Sequence, residues 1–102
     1  IKVAVAAPET AVNDQLLGEA DALFKSGDVR AARKSYERAW GNDGSPAAAF
    51  GLARSYDPVV LATLALKNVK PDKAQAIQWY QRAASGGNAD ATEAIVRLQL
   101  KP

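Results

Sequence analysis

Apolar positions in this chain recur with the period of a helix and are punctuated by Gly and Pro. Leu16, Ala20, Leu23 and Phe24 fall on one side of a 3.6-residue repeat. They predict a first helix from about residue 11 or 13 to residue 25. Ser26-Gly27 stops it, since Gly takes a left-handed terminal conformation at little cost. Asp28 caps a second helix over residues 29–40, with Ala32, Tyr36, Ala39 and Trp40 on one face. Gly41-Asn42-Asp43-Gly44 reads as a loop. Ser45-Pro46 is a start signal, a capping hydroxyl followed by Pro in the first turn, for a third helix that reaches about Tyr56. Asp57-Pro58 repeats the signal and predicts a short fourth helix over residues 59–66. A connection over 67–70 leads to Pro71-Asp72, which opens a fifth helix ending at Ser85 before Gly86-Gly87. Asn88 caps a last helix over 89–100, where Asp90 and Glu93 suit the positive end of the helix dipole. No segment alternates apolar and polar residues with period two, so the expected class is all-α. Residues 1–9 read as the end of a linker from a larger protein, with residues 10–102 forming a single helical domain. The apolar run before Pro8 is too short for a complete signal peptide.

The helical segments repeat. At an offset of 44, Asp28 meets Asp72, Ala32 meets Ala76, Tyr36 meets Tyr80, Arg38 meets Arg82 and Ala39 meets Ala83. At an offset of 33, Leu16 meets Ala49, Leu17 meets Phe50, Ala20 meets Ala53 and Leu23 meets Tyr56. The shorter offset is close to the ~34-residue period of helix-turn-helix arrays. The difference of 11 marks an insertion over about residues 57–67 of the second unit. Two antiparallel helices need small residues where their backbones approach and large ones beside them. Ala20, Ala32, Ala53 and Ala76 are the small set; Leu23, Tyr36, Tyr56 and Tyr80 are the large one. A single hairpin cannot bury its apolar face alone, so hairpins stack. The last helix would cover the open end with Ala91, Ala94, Ile95 and Leu98.

Composition restricts the chemistry. The 102 residues suffice for one small domain, and they include no Cys, His or Met. Thiol nucleophiles, disulfides, thiolate or imidazole metal ligands and the commonest general base are therefore absent. The net charge of +2 is uneven, −1 over residues 1–51 and +3 over 52–102. The densest basic run, Arg30, Arg33, Lys34 and Arg38, is diluted by Glu37 and reads as a solvated outer face rather than a nucleic-acid stripe. No apolar run reaches the ~20 residues that span a bilayer. Asp14 and Asp21 lie two turns apart on one helix, but nothing around them signals acid–base work. Gly86-Gly87 lacks the surroundings of a phosphate loop.

These residues resemble known repeats. Gly27-Asp28 with Ala32, Tyr36 and Ala39 resembles the end of a tetratricopeptide repeat. The order Asn68-Val69-Lys70-Pro71-Asp72, Lys73-Ala74, Trp79-Tyr80, Arg82-Ala83-Ala84, Gly87-Asn88, Ala91 resembles its bacterial-rich relative, the Sel1-like repeat. The resemblance covers about residues 14–98 and departs at the insertion after Tyr56 and at Asn68, where that family usually has Gly. It implies a right-handed α-α superhelix of about two and a half hairpins, with no catalytic activity and no cofactor or metal. The implied function is a scaffold that holds a protein or peptide partner in a concave groove lined by the first helix of each hairpin. On the matching positions the lining is Asp14, Leu17, Asp21, Phe24 and Lys25 from the first hairpin, with Ala47, Phe50 and Arg54 from the second. Leu17, Phe24 and Phe50 would be apolar anchors, and Asp21, Lys25 and Arg54 would select by charge. Tyr56-Asp57-Pro58 and the Val-x-Pro-Asp turn also resemble the C-terminal helical domain of some bacterial envelope proteins, which places the domain within a larger anchored protein.

Three readings follow: an interaction module, a structural spacer or oligomerisation domain, or the accessory domain of an envelope enzyme. The chain itself is expected to be a monomer or a weak homodimer without nucleic-acid partners. Phe24 and Phe50 could each be buried between hairpins or open to the groove. Trp40 could pack or stand partly exposed, whereas Trp79 and Tyr80 read as repeat-core packing. The apolar insertion, with Val59, Val60, Leu61, Leu64 and Leu66, either folds back on the hairpins or forms a contact surface.

Overall fold

The computed structural model describes residues 8–66 and 68–100 and is all-helical among them. The elements are α1 (Pro8–Lys25), α2 (Val29–Asp43), α3 (Pro46–Tyr56), α4 (Pro58–Thr63), α5 (Lys73–Ser85) and α6 (Ala89–Leu100). The expected linker therefore ends earlier than read: Pro8 and Glu9 already belong to α1, since Pro is well tolerated in a first helical turn. Residues 1–7 lie outside the described part, as does Lys67 of the expected connection.

Local chemistry sets most boundaries. Asp28, Asp72 and Asn88 each accept a backbone N–H from the first turn of α2, α5 and α6. Ser45 occupies the corresponding position before α3, but its hydroxyl makes no capping bond, contrary to the sequence reading. Pro46 at the first helical position instead removes one donor that would need a cap. The expected loop at 41–44 is shorter than read, because α2 continues to Asp43. Asn42 there donates to the Asn13 side chain at 2.7 Å, and buried Asn13 donates to the Ala39 carbonyl at 3.0 Å, so the extra turn is tied to α1.

Three helices end in the same double hydrogen-bonded reversal. In each, one N–H returns five residues back and its predecessor three: Asp28 to Leu23 with Gly27 to Phe24, Leu66 to Leu61 with Ala65 to Ala62, and Asn88 to Ala83 with Gly87 to Ala84. This geometry explains why α4 stops at Thr63 rather than Leu66. The reversal at Ala65 turns Leu66 back toward the first hairpin, its side chain lying close to Gly27. Leu61 is buried there, with Val60, Leu66 and Val69 packed around the same cluster. The insertion folds onto the hairpins, and Asp72 N–H closes it by bonding the Tyr56 carbonyl at 2.8 Å.

Packing follows chain order with α4 set aside: α1 on α2, α2 on α3, α3 on α5, α5 on α6. The result is elongated, 54 × 27 × 17 Å. The small residues of both hairpins, Ala20 with Ala32 and Ala53 with Ala76, are fully buried. The residues that the sequence offset equates are buried alike, Tyr36 with Tyr80 and Ala39 with Ala83. Two main clusters result, one around Phe24, Val29 and Tyr36 and one around Ala53, Tyr80 and Leu98. Trp79 packs against both and meets Trp40 edge-on with ring centroids 5.4 Å apart. No helix among the described residues is long and apolar enough to cross a membrane.

Candidate functional site

The first and third helices, with the end of α4, enclose an open concavity of about 630 Å³. Seven of the eight residues expected along a groove line it: Leu17, Asp21, Phe24 and Lys25 from α1, and Ala47, Phe50 and Arg54 from α3. Asp14 does not; it is exposed on α1 before the hollow begins. Helical periodicity explains the grouping, because residues 17, 21, 24 and 25 share one side of α1, as do 47, 50 and 54 on α3.

The individual environments refine the expected roles. Phe24 is only 4% exposed, so it is part of the core rather than a free anchor. The Arg54 guanidinium lies over its ring, 5.2 Å from the centroid. Phe50 and Leu17 are half-buried and remain available at the wall. Phe50 tilts against Tyr80 with centroids 5.7 Å apart. Asp21 accepts the hydroxyl of buried Tyr36, which reaches it from α2. Burial first and this bond second push the Tyr36 hydroxyl above its ordinary pKa, so it stays a proton donor. Tyr36 crosses α3 at Gly51, where a Cβ would stand 2.4 Å from the ring.

A second hollow of about 470 Å³ adjoins the first and shares Phe50 and Arg54 with it. Its other lining residues are Val60 and Tyr80 with Asp90, Glu93, Ala94 and Arg97 of α6. The sequence reading missed this half by treating α6 only as a lid and Asp90 and Glu93 only as dipole partners. The signal was present: residues 90, 93 and 97 recur at helical spacing beside the apolar stripe of Ala91, Ala94 and Leu98.

Beneath the second hollow lies a buried polar centre. Asp57 is fully buried at the α3–α4 junction. One carboxylate oxygen accepts the N–H groups of Val59 and Val60 at 2.8 and 3.4 Å. The other accepts the Tyr80 hydroxyl at 2.7 Å and an Arg97 Nη at 2.9 Å. Burial alone would raise the carboxyl pKa; donation from Arg97, Tyr80 and the Val59 N–H outweighs it and holds Asp57 below the ordinary carboxylate value. Arg97 is correspondingly raised by Asp57. Tyr80 and Arg97 both donate to Asp57, which clamps α6 onto the α3–α4 junction, while the other Arg97 Nη is buried without a hydrogen-bond partner. Among the described residues no group of acidic side chains could hold a metal ion.

The basic run on α2 is not uniformly a solvated face, as expected. Arg33 turns inward, donating from Nε to the Ser55 hydroxyl at 3.1 Å and from Nη to the Ser55 carbonyl. It also lies 3.8 Å over the Tyr56 ring. Ser55 is buried and its hydroxyl donates to the Leu52 carbonyl at 2.6 Å, and the planar Arg33 fork donates to that hydroxyl and to the Ser55 carbonyl. Arg30, Lys34 and Arg38 remain exposed.

Comparison with family models, with curated proteins and with solved structures yields no match.

Proposed function

We propose that this chain is a non-catalytic interaction scaffold that holds a protein or peptide segment along the concave face of α1, α3 and α6. In this reading the stack is a right-handed α-α superhelix of the tetratricopeptide or Sel1-like kind, about two and a half hairpins long. One observation carries the reading: alternate helices of the stack line two adjoining hollows that share Phe50 and Arg54. Alternate-helix lining is what stacked hairpins produce when one side of every unit faces inward. The surface there combines half-buried aromatics with charges, the mixture from which interface anchors are drawn. The family resemblance supports placing the module in a larger bacterial envelope protein.

The test is affinity capture from host extract with the native chain and with a Leu17→Glu, Arg54→Glu variant of unchanged helicity. A protein retained by the native chain and lost with the variant supports the scaffold reading. Identical retention by both overturns the concave face as the working surface.

A second reading, an oligomerisation or spacer domain, is favoured by the free face of α6. Val96 and Leu100 lie one turn apart there, 50% and 78% exposed. Sedimentation over a concentration series decides it, with a dimer dispersed by Val96→Glu and Leu100→Glu as the supporting result.

A further inference from the structure

The concave face carries charge that the fold does not neutralise. Arg97 pairs with Asp57. Arg54, on the wall between the hollows, makes no ion pair among the described residues, and its cationic head lies over the Phe24 ring. Lys25 at the edge of the first hollow is exposed and unpaired, as are Asp90 and Glu93 in the second. With Asp21 counted, the first hollow has net charge +1 from Asp21, Lys25 and Arg54. The second shares Arg54 and adds two carboxylates, its Arg97 being balanced by Asp57, for a net charge of −1. The two halves of one continuous surface therefore carry opposite sign on either side of Phe50.

We propose, building on the scaffold reading, that the partner is a bipolar peptide segment. An apolar residue with an acidic neighbour sits in the first hollow, the apolar side chain on Leu17 and Phe50 and the carboxylate on Arg54. A Lys or Arg sits in the second, its stem along Phe50 and Val60 and its head at Asp90 and Glu93. The two hollows share Phe50 and Arg54, so one continuous extended segment reaches both. Complementary charge rejects the opposite arrangement, a cation against Arg54 and a carboxylate against Asp90 and Glu93.

A random-peptide display library selected on the immobilised native chain tests this. The expected result is enrichment of an acidic–apolar pair with a Lys or Arg in the same short peptide. Selection on an Asp90→Lys, Glu93→Lys variant should exchange the basic residue for an acidic one; both positions are exposed, and circular dichroism verifies the helices. For an enriched peptide on the native chain, replacing its acidic residue by the amide should weaken binding about fivefold, the upper end for an exposed ion pair. The same change should have no effect on an Arg54→Ala variant. Enriched peptides that are apolar without a charge pattern, or that ignore both charge variants, overturn the bipolar assignment and leave the scaffold reading standing. No enrichment over uncoated support overturns both.

Discussion

Ala65 takes a φ of 58°, the one non-glycine residue with positive φ among the described residues. It occupies the turn position that Gly27 and Gly87 fill in the other two reversals. A Cβ in the left-handed region costs roughly 1–2 kcal/mol, part of which Gly returns through a freer unfolded chain. Ala65→Gly should therefore stabilise the protein by about 0.5–1 kcal/mol, read as a higher urea midpoint at unchanged slope. Gly51 is the opposite case. A methyl there would meet the Tyr36 ring at 2.4 Å, and the ring is held by its hydroxyl on Asp21. Gly51→Ala should destabilise by about 1–3 kcal/mol, the usual range for overpacking a filled core. Neither residue announces itself in the sequence. Ala65 looks like helix interior, and the demand on Gly51 comes from a ring on another helix.

Among the elements, the short-range signals were the most legible. Asp28, Asp57, Asp72 and Asn88 were readable as helix starts because a cap acts within three residues of itself. Gly27 and Gly87 were readable as stops for the same reason. Two of the ends that moved are decided at long range: α2 gains a turn through Asn13, and α4 loses one as Leu66 packs on the first hairpin. Asp57 shows both scales at once, a readable cap whose second oxygen serves Tyr80 and Arg97 across the chain. Asp57→Ala should cost on the order of 3 kcal/mol, about 1 from the cap and the rest from a buried hydroxyl and a cation left without their acceptor. The pH dependence has a definite sign. Because Asp57 is held below its ordinary pKa in the folded protein, its contribution is complete above the unfolded value of about 3.9. It is lost as pH falls through the lower folded value. Urea midpoints measured downward from about pH 6 should fall less steeply for Asp57→Asn than for the native chain below about pH 4; parallel curves would show that another carboxylate sets the acid limit.

At the scale of the whole molecule, the sequence offsets equate residues that are buried alike, Ala32 with Ala76 and Tyr36 with Tyr80, although the two tyrosine hydroxyls find different acceptors, Asp21 and Asp57. Periodicity also grouped seven lining residues on one concavity, since it fixes which side chains share a face of α1 or α3. It could not reveal that α6 extends that surface, because this depends on α6 being clamped to Asp57 from a distance of 40 residues. The same long-range logic governs how the molecule unfolds. The two main clusters belong to different hairpins, and α3 contributes to both, Leu52 to one and Ala49 with Ala53 to the other. Trp79 is the large side chain that touches both, with Arg82 stacked 4.3 Å from its ring centroid and Trp40 at its edge. Stacked units share stability only through such interfaces. Removing a half-buried indole should cost about 2–3 kcal/mol, somewhat below the value for a fully buried one. The loss should fall on the coupling between units. In the native chain, amide hydrogen exchange should report similar opening free energies for α2 and α5. In Trp79→Ala, α5 and α6 should open well before α1 and α2, and a uniform drop across all four helices would show that the hairpins are coupled by α3 alone.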